Sequence, residues 1–316
     1  MAPQLQPAND LLDFLNLTSI NASTFATTTL PSTGPTGRAF GGCTIAVALT
    51  AATSTVPTTH KVFSALGNFL SGASGDRAMT ASVKVIRTTR SFATRYVEVS
   101  QRLDTGEDRV CMVVLLDYQV PDAHRDGTFE YSEPPSRAYT PLSACPLTPD
   151  LWGPIDKPSM RTRTIEQRHC PEGYIGQTVG QEVRVKTTQD ELPMHKRTSA
   201  DWFRPKVPLK TNVEQAAFLA FVLDGPSSWL PLLHDQQDMK DFEAVASLEF
   251  ALRFFGSDLG GLDGDEWWLR EVKSTVAAEG RTFMEGKVWD AKGRCMASMT
   301  QQDIARPRKQ KSAEKL

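Results

Sequence analysis

The sequence predicts an α+β protein made of two similar halves, each a buried helix followed by an antiparallel meander. Three observations carry that reading. Residues 41–56 are small and apolar on nearly every side, up to Pro57, so a helix there must be buried all round. Asn212 to Leu223 has the same character and stops at Asp224-Gly225-Pro226. Between the two halves lies a segment rich in proline (Pro134, Pro135, Pro141, Pro146, Pro149, Pro154, Pro158), which reads as a surface connection with little regular structure.

Each element follows in order. After the first helix, Met79 to Arg87 and Phe92 to Val99 alternate as half-buried strands. Arg109 to Gln119 is a nearly continuous apolar run, expected to be a central strand buried on both faces. Leu103-Asp104-Thr105-Gly106-Glu107-Asp108 has hairpin chemistry. In the second half the expected strands are Glu243 to Phe255, Trp267 to Val276, Arg281 to Trp289 and Arg294 to Asp303. Turns at Ala277-Ala278-Glu279-Gly280 and Asp290-Ala291-Lys292-Gly293 separate the last three. The domains expected are 8–125, a connection over 126–195, a second domain over 196–306, and a basic, disordered tail over 307–316.

Composition narrows the function. The chain has 316 residues, 40% of them hydrophobic and 23% charged, enough for two ordinary domains with real cores. Its formal net charge of −2 does not favour nucleic acid as a partner. The five cysteines are scattered, without a CxxC pair, which argues against a disulfide framework and a zinc site. No metal or other cofactor is expected. Nor is a membrane span, since no run of about 18 apolar residues occurs. Met1-Ala2-Pro3-Gln4 has no basic region leading into a hydrophobic one, so no secretory signal is expected. There is no GxSxG elbow, P-loop or dinucleotide fingerprint. The five histidines show no ligand spacing and are expected on the surface or in the connection.

Two blocks carry the chemistry. Arg38-Ala39-Phe40-Gly41-Gly42 runs into Cys43 and the first helix; paired glycines let helix-start amides approach an anionic or polarised oxygen. Arg90-Ser91-Phe92-Ala93-Thr94-Arg95 opens a strand. Cys43 could be a nucleophile at a helix start, but no histidine has the spacing of a partner, and a small buried residue is the plainer reading. Asp224 ends the second helix, where free carbonyls disfavour an anion. Burial there would raise its pKa into the range of a base acting on water; a turn aspartate before Gly-Pro is the alternative.

In this order and spacing the two blocks resemble the acyl-CoA thioesterase II family, whose first half carries R-x-F-G-G-Q and later R-S-F-x-x-R. Asp10-Leu11-Leu12-Asp13-Phe14-Leu15-Asn16-Leu17 adds to the resemblance, which covers most of the chain except its middle. It implies a double hotdog fold, two tandem domains each with a long helix wrapped by a curved antiparallel sheet. It also implies hydrolysis of an acyl-CoA or related thioester. The family's catalytic aspartate matches Asp224, followed here by Trp229-Leu230-Pro231. The Thr or Ser of its A-[ST]-[LI]-D-H strand matches Ser247 in Ala246-Ser247-Leu248-Glu249-Phe250. The glutamine of V-A-S-x-x-Q-E matches Gln301. Substrate-binding positions implied are Gly41, Gly42, Cys43, Arg90, Ser91 and Phe92.

The sequence departs from the family at Cys43 for the usual Gln, Glu249-Phe250 for D-H, Arg253-Phe254-Phe255-Gly256 for W-F-H-R, and Leu66 for a histidine. These changes bear on substrate preference more than on fold. Two other readings stay open: a non-hydrolytic protein that binds acyl-CoA or a polyketide-like thioester, and a hotdog hydratase or dehydratase, although no D-x-N-x-x-H helix motif is present. A homo-oligomer is compatible with the reading. Glu314-Lys315-Leu316 resembles a peroxisomal terminus only in its last two residues, so the expected location is the cytosol, with the peroxisome second.

Overall fold

The computed structural model describes residues 5–33, 37–121, 129–147, 159–181, 183–225 and 227–308. The first half contains α1 (Leu11–Phe14), β1 (Leu17–Asn21), β2 (Thr24–Thr27), α2 (Gly41–Thr53), β3 (Lys61–Phe69), β4 (Thr80–Thr88), β5 (Phe92–Arg102) and β6 (Asp108–Gln119). The connection contributes α3 (Met160–Thr164), β7 (Ile165–His169) and α4 (Tyr174–Thr178). The second half contains β8 (Ser199–Pro205), α5 (Asn212–Leu223), α6 (Leu230–His234), β9 (Phe242–Phe254), β10 (Trp268–Ala278), β11 (Arg281–Trp289) and β12 (Cys295–Pro307). The expected tail falls almost wholly on 309–316, outside the described residues.

The twelve described strands form one antiparallel sheet in the order β1-β2-β4-β5-β6-β3-β9-β12-β11-β10-β8-β7. The halves join where β3 pairs β9, with Ala65 opposite Leu252 and Gly67 opposite Phe250. Both long helices lie against the sheet's inner face and against each other. Ten of the thirteen residues of α2 are buried, and nine of the twelve in α5, which is why both read as apolar all round. α5 starts with a reciprocal capping box between Thr211 and Glu214. α2 has no side-chain cap from its own N-cap residue, Phe40; its Gly42 N–H is instead satisfied by Asp224 of the other half.

Two expectations need correction. β6 is not buried on both faces. Cys111, Met112, Val114, Leu116 and Tyr118 are buried, whereas Leu115 is 37% exposed. The helices cover only the inner face, so the outer one stays open to solvent. The connection is also more regular than its prolines suggest. Ser159 caps α3, and β7 adds an edge strand beside β8, with Gln167 opposite Phe203. The segment Asn212–His234, which holds α5 and α6, is apolar enough by length and composition to reach across a bilayer, but 76% of its most apolar window is buried inside the fold, as expected of core elements.

Candidate functional site

A cavity of about 370 Å³ opens where the start of α2, the end of α5 and β9 converge. Phe40, Phe69, Phe221 and Trp229 supply its apolar wall, and Gly41, Asp224 and Ser247 its polar end. Phe40 meets Phe221 edge-on with ring centres 5.0 Å apart, and Phe69 stands 5.6 Å from Phe250. The paired glycines are a packing necessity here. A Cβ on Gly42 would lie 2.9 Å from the Phe221 Cα, and one on Gly41 would lie 2.8 Å from Asp224 Oδ2. Only glycine lets the two helix ends come this close.

Asp224 is the C-cap residue of α5 and is buried. Its Oδ2 accepts the Gly42 N–H at 2.6 Å, so the carboxylate faces the positive start of α2 while standing at the negative end of its own helix. Its Oδ1 has no hydrogen-bond partner among the described residues. Burial pushes the carboxyl up to about 6, a rise held in check first by the Gly42 N–H, then by Gln301, Arg161 and Ser227. A carboxylate ionised near neutrality yet poorly solvated is a competent proton acceptor.

Ser247 lines this end of the cavity from β9, and Gln301 stands behind it on the adjacent strand β12, bound to its hydroxyl. β12 pairs β9 with Gln302 opposite Glu249 and Asp303 opposite Ser247, so Leu248 is skipped. That bulge turns Ser247 to the inner side, as bulges beside functional sites commonly do. Gln301 is fully buried, and its Nε2 donates to Ser247 Oγ and, at 3.0 Å, to Asp303 Oδ1. Its Oε1 is unpartnered. Asp303 was not anticipated from the sequence. It is fully buried, and burial first, then the Asp224 charge, pushes its carboxyl up to about 8. The signal that could have found it is the strand period, which sets residues 301 and 303 on one face of β12.

The remaining sequence-picked residues divide. Gly41 lines the cavity, and its N–H, first in the helix, has no carbonyl partner within α2. Cys43 does not line it. The side chain is fully buried in the core, and burial pushes the thiol up to about 12, which leaves it a poor nucleophile at neutral pH. Arg90, Ser91 and Phe92 stand elsewhere as well. They are exposed at the turn into β5, where Phe92 pairs with Gln119 and packs edge-on against Phe63. The cavity lies toward the other end of these strands, beside Phe69 and Cys111. The last residue of that block, Arg95, is structural. It is buried and donates to Thr55 Oγ1 at 2.8 Å and Thr55 O at 2.7 Å, holding the chain just past α2.

The histidines also correct an expectation, since His60 and His234 are buried outside the connection, while His169 is in the connection as expected but buried. His234 Nε2 stands 2.8 Å from Ser199 Oγ, and burial keeps the ring neutral by lowering its pKa to about 3. α6 inserts it beside Tyr174, ring centres 5.3 Å apart, away from the cavity. Among the described residues no group of three or more His, Cys, Asp or Glu is placed to hold a metal ion.

Comparison with known proteins gives two family matches. Residues 30–119 match the acyl-CoA thioesterase N-terminal domain, and residues 157–304 match the acyl-CoA thioesterase C-terminal domain. The fold is similar to that of an acyl-CoA thioesterase II, TesB2, from Mycobacterium marinum, at 22% identity and TM-score 0.66 over 94% of this chain and 98% of that one. A tesB protein of Mycobacterium avium subspecies paratuberculosis is similar at 18% identity and TM-score 0.67, with 94% and 98% covered. A hot dog fold protein of unknown function from Alicyclobacillus acidocaldarius is similar at 17% identity and TM-score 0.69, with 95% and 98% covered.

Proposed function

Since the chain belongs to the acyl-CoA thioesterase family, with two tandem hotdog domains, we propose that it hydrolyses an acyl-CoA by direct attack of water at the Asp224 end of the cavity. The observation that carries this reading is the unpartnered Oδ1 of a buried carboxylate whose other oxygen is anchored on the Gly42 N–H. The acyl chain lies along Phe40, Phe69, Phe221 and Trp229, and the exposed Arg38 at the rim faces the anionic part of CoA. Water gives one proton to Asp224 Oδ1 as its oxygen bonds to the thioester carbon. The carbonyl oxygen, becoming negative, is met by the Gly41 N–H at the positive start of α2. Collapse of the tetrahedral species breaks the C–S bond; the proton on Asp224 passes to the sulfur, releasing CoA and a free carboxylic acid.

Ser247 and Gln301 hold the water, and each supplies orientation that the base alone cannot. No covalent intermediate is required, which agrees with the inert, buried Cys43. The test is thiol release from a panel of acyl-CoAs differing in chain length and branching, with Asp224→Asn as control. Release that stops in the folded variant supports the mechanism. Tight acyl-CoA binding without release by the native chain would favour a binding protein instead.

A further inference from the structure

The buried acid Asp303 has no role in the reading above, and its surroundings give it one. Three buried oxygen atoms of this cluster have no hydrogen-bond partner among the described residues: Asp224 Oδ1, Gln301 Oε1 and Asp303 Oδ2. An attacking water has two protons. With one on Asp224 Oδ1, the acceptor for the other is Gln301 Oε1, provided the amide keeps its orientation. That orientation is set by what Nε2 is bound to, namely Ser247 Oγ and Asp303 Oδ1 at 3.0 Å.

We infer that Asp303 is a positioning residue for hydrolysis, fixing the Gln301 amide through its Oδ1 and doing so as a neutral carboxyl. The inference rests on the hydrolytic reading of the same site. Neutrality follows from the neighbours. Two carboxyls in one water-poor cluster do not both ionise easily. Asp224 has the Gly42 N–H and the start of α2 to stabilise its charge, with Arg161 nearby. Among the described residues Asp303 has only Gln301 and Ser247. The titratable groups facing it are Asp224 from the end of α5 and Glu249 from β9. β11 sets Thr282 opposite it, and the turn after α5 that packs on β12 brings Ser227, Ser228 and Trp229, none of which titrates. One proton shared between the two carboxyls therefore stays on Asp303, in keeping with its carboxyl standing at about 8 and that of Asp224 at about 6. Ionisation of Asp303 would set a second anion beside the oxygen that becomes negative in the transition state, and so oppose catalysis.

The test is the pH dependence of kcat and KM for the native chain, Asp303→Asn and Asp303→Ala, on a thioester the native chain hydrolyses. The native profile should rise near pH 6 and fall near pH 8. Asp303→Ala removes the acceptor for Nε2 and should lower kcat by about 10- to 100-fold with KM little changed. Asp303→Asn restores an acceptor that never ionises. It should recover turnover relative to the alanine variant and abolish the falling limb while leaving the rising one in place. A falling limb that persists in folded Asp303→Asn, or full kcat in Asp303→Ala, would overturn the role. Infrared spectroscopy of the native protein gives a readout independent of turnover. Above neutrality exposed carboxyls are ionised, so the C=O band of a protonated carboxyl should stand alone, fade as pH passes about 8, and be missing in Asp303→Asn. Absence of that band in the native protein would also overturn the inference. A chain that shows the band but releases thiol from no thioester would sink the hydrolytic reading, and the band separates that failure from an ionised Asp303.

Discussion

Replacing Asp224 with asparagine should make the protein inactive and, at neutral pH, more stable. The structure sets both magnitudes. Oδ2 accepts the Gly42 N–H, and an asparagine can present its amide oxygen there, leaving its NH₂ where Oδ1 has no partner. Helix contacts and cavity shape survive, while the proton acceptor is lost. Losing a general base costs about 100- to 10,000-fold in rate. The stability gain follows from linkage. Burial moves the carboxyl from 3.8 to about 6, a change of about two units, or about 3 kcal/mol against the ionised form in the folded state. The folded pKa is the higher one, so the native chain has this contribution in full below about pH 4 and loses it as pH rises through about 6. Asparagine is neutral throughout and shows no such loss, so at pH 7 the variant should be more stable by up to about 3 kcal/mol. Thiol release measures the first effect, and thermal melting of both proteins between pH 4 and pH 8 the second. Native-level hydrolysis by a folded variant would refute the assignment of the base. Melting curves that decline in parallel for both proteins through pH 6 would refute the account of its burial.

Ser247→Ala and Gln301→Ala should each lower kcat, and the double variant should fall well short of the product of the two losses, because in the proposed mechanism both serve one water; a double-mutant cycle measures the coupling. Arg95→Met should cost about 2–4 kcal/mol in stability by stripping the buried hydrogen bonds at Thr55, while turnover per folded molecule holds because Asp224 stands at the other end of α2; denaturant melts and active-site titration separate the two. Cys43→Ala should keep hydrolysis, and native Cys43 should resist alkylation at pH 8, its thiol standing near 12; mass mapping of labelled peptides checks this.

What could be read from the sequence depended on whether a residue's environment is set by its near neighbours. α2 and α5 were legible because a helix apolar on every side has only one place to go, the core. Their helix-then-meander order carried the tandem architecture. β3 was not legible. Lys61–Phe69 mixes serine, glycine and asparagine into its pattern, and Gly67 is small because the Phe250 ring of β9 would lie 2.7 Å from its Cβ. A strand whose composition answers to a partner some 180 residues away gives little local signal. Asp303 was hidden for the same reason. Its period-two relation to Gln301 is visible in the sequence, but its burial depends on a bulge at Leu248 in another strand and on the end of α5. Arg90, Ser91 and Phe92 show the converse. A recognisable block drew attention to three exposed residues, while the residue in it with a fixed structural role is the buried Arg95.

The duplicated architecture nonetheless provides the proposed hydrolytic arrangement at one place. Each long helix ends near the inner face of the sheet, but the two ends are chemically unlike. α5 finishes in Asp224, whose charge is made tolerable by an N–H from the first half. α2 finishes in Ser54, its C-cap, followed by Thr55, and the Arg95 guanidinium occupies the Thr55 carbonyl there. A cation at a helix C-terminus is stabilising, whereas an anion in the same position is costly unless a second helix start faces it. The first arrangement suits a structural joint and the second a base held at raised proton affinity. The meeting of Gly42 with Asp224 thus does two things at once: it closes the interface between the halves and it lets a carboxylate survive at the wrong end of its own helix. A change that loosens that interface should therefore alter the acid limb of the hydrolysis profile before it unfolds either half.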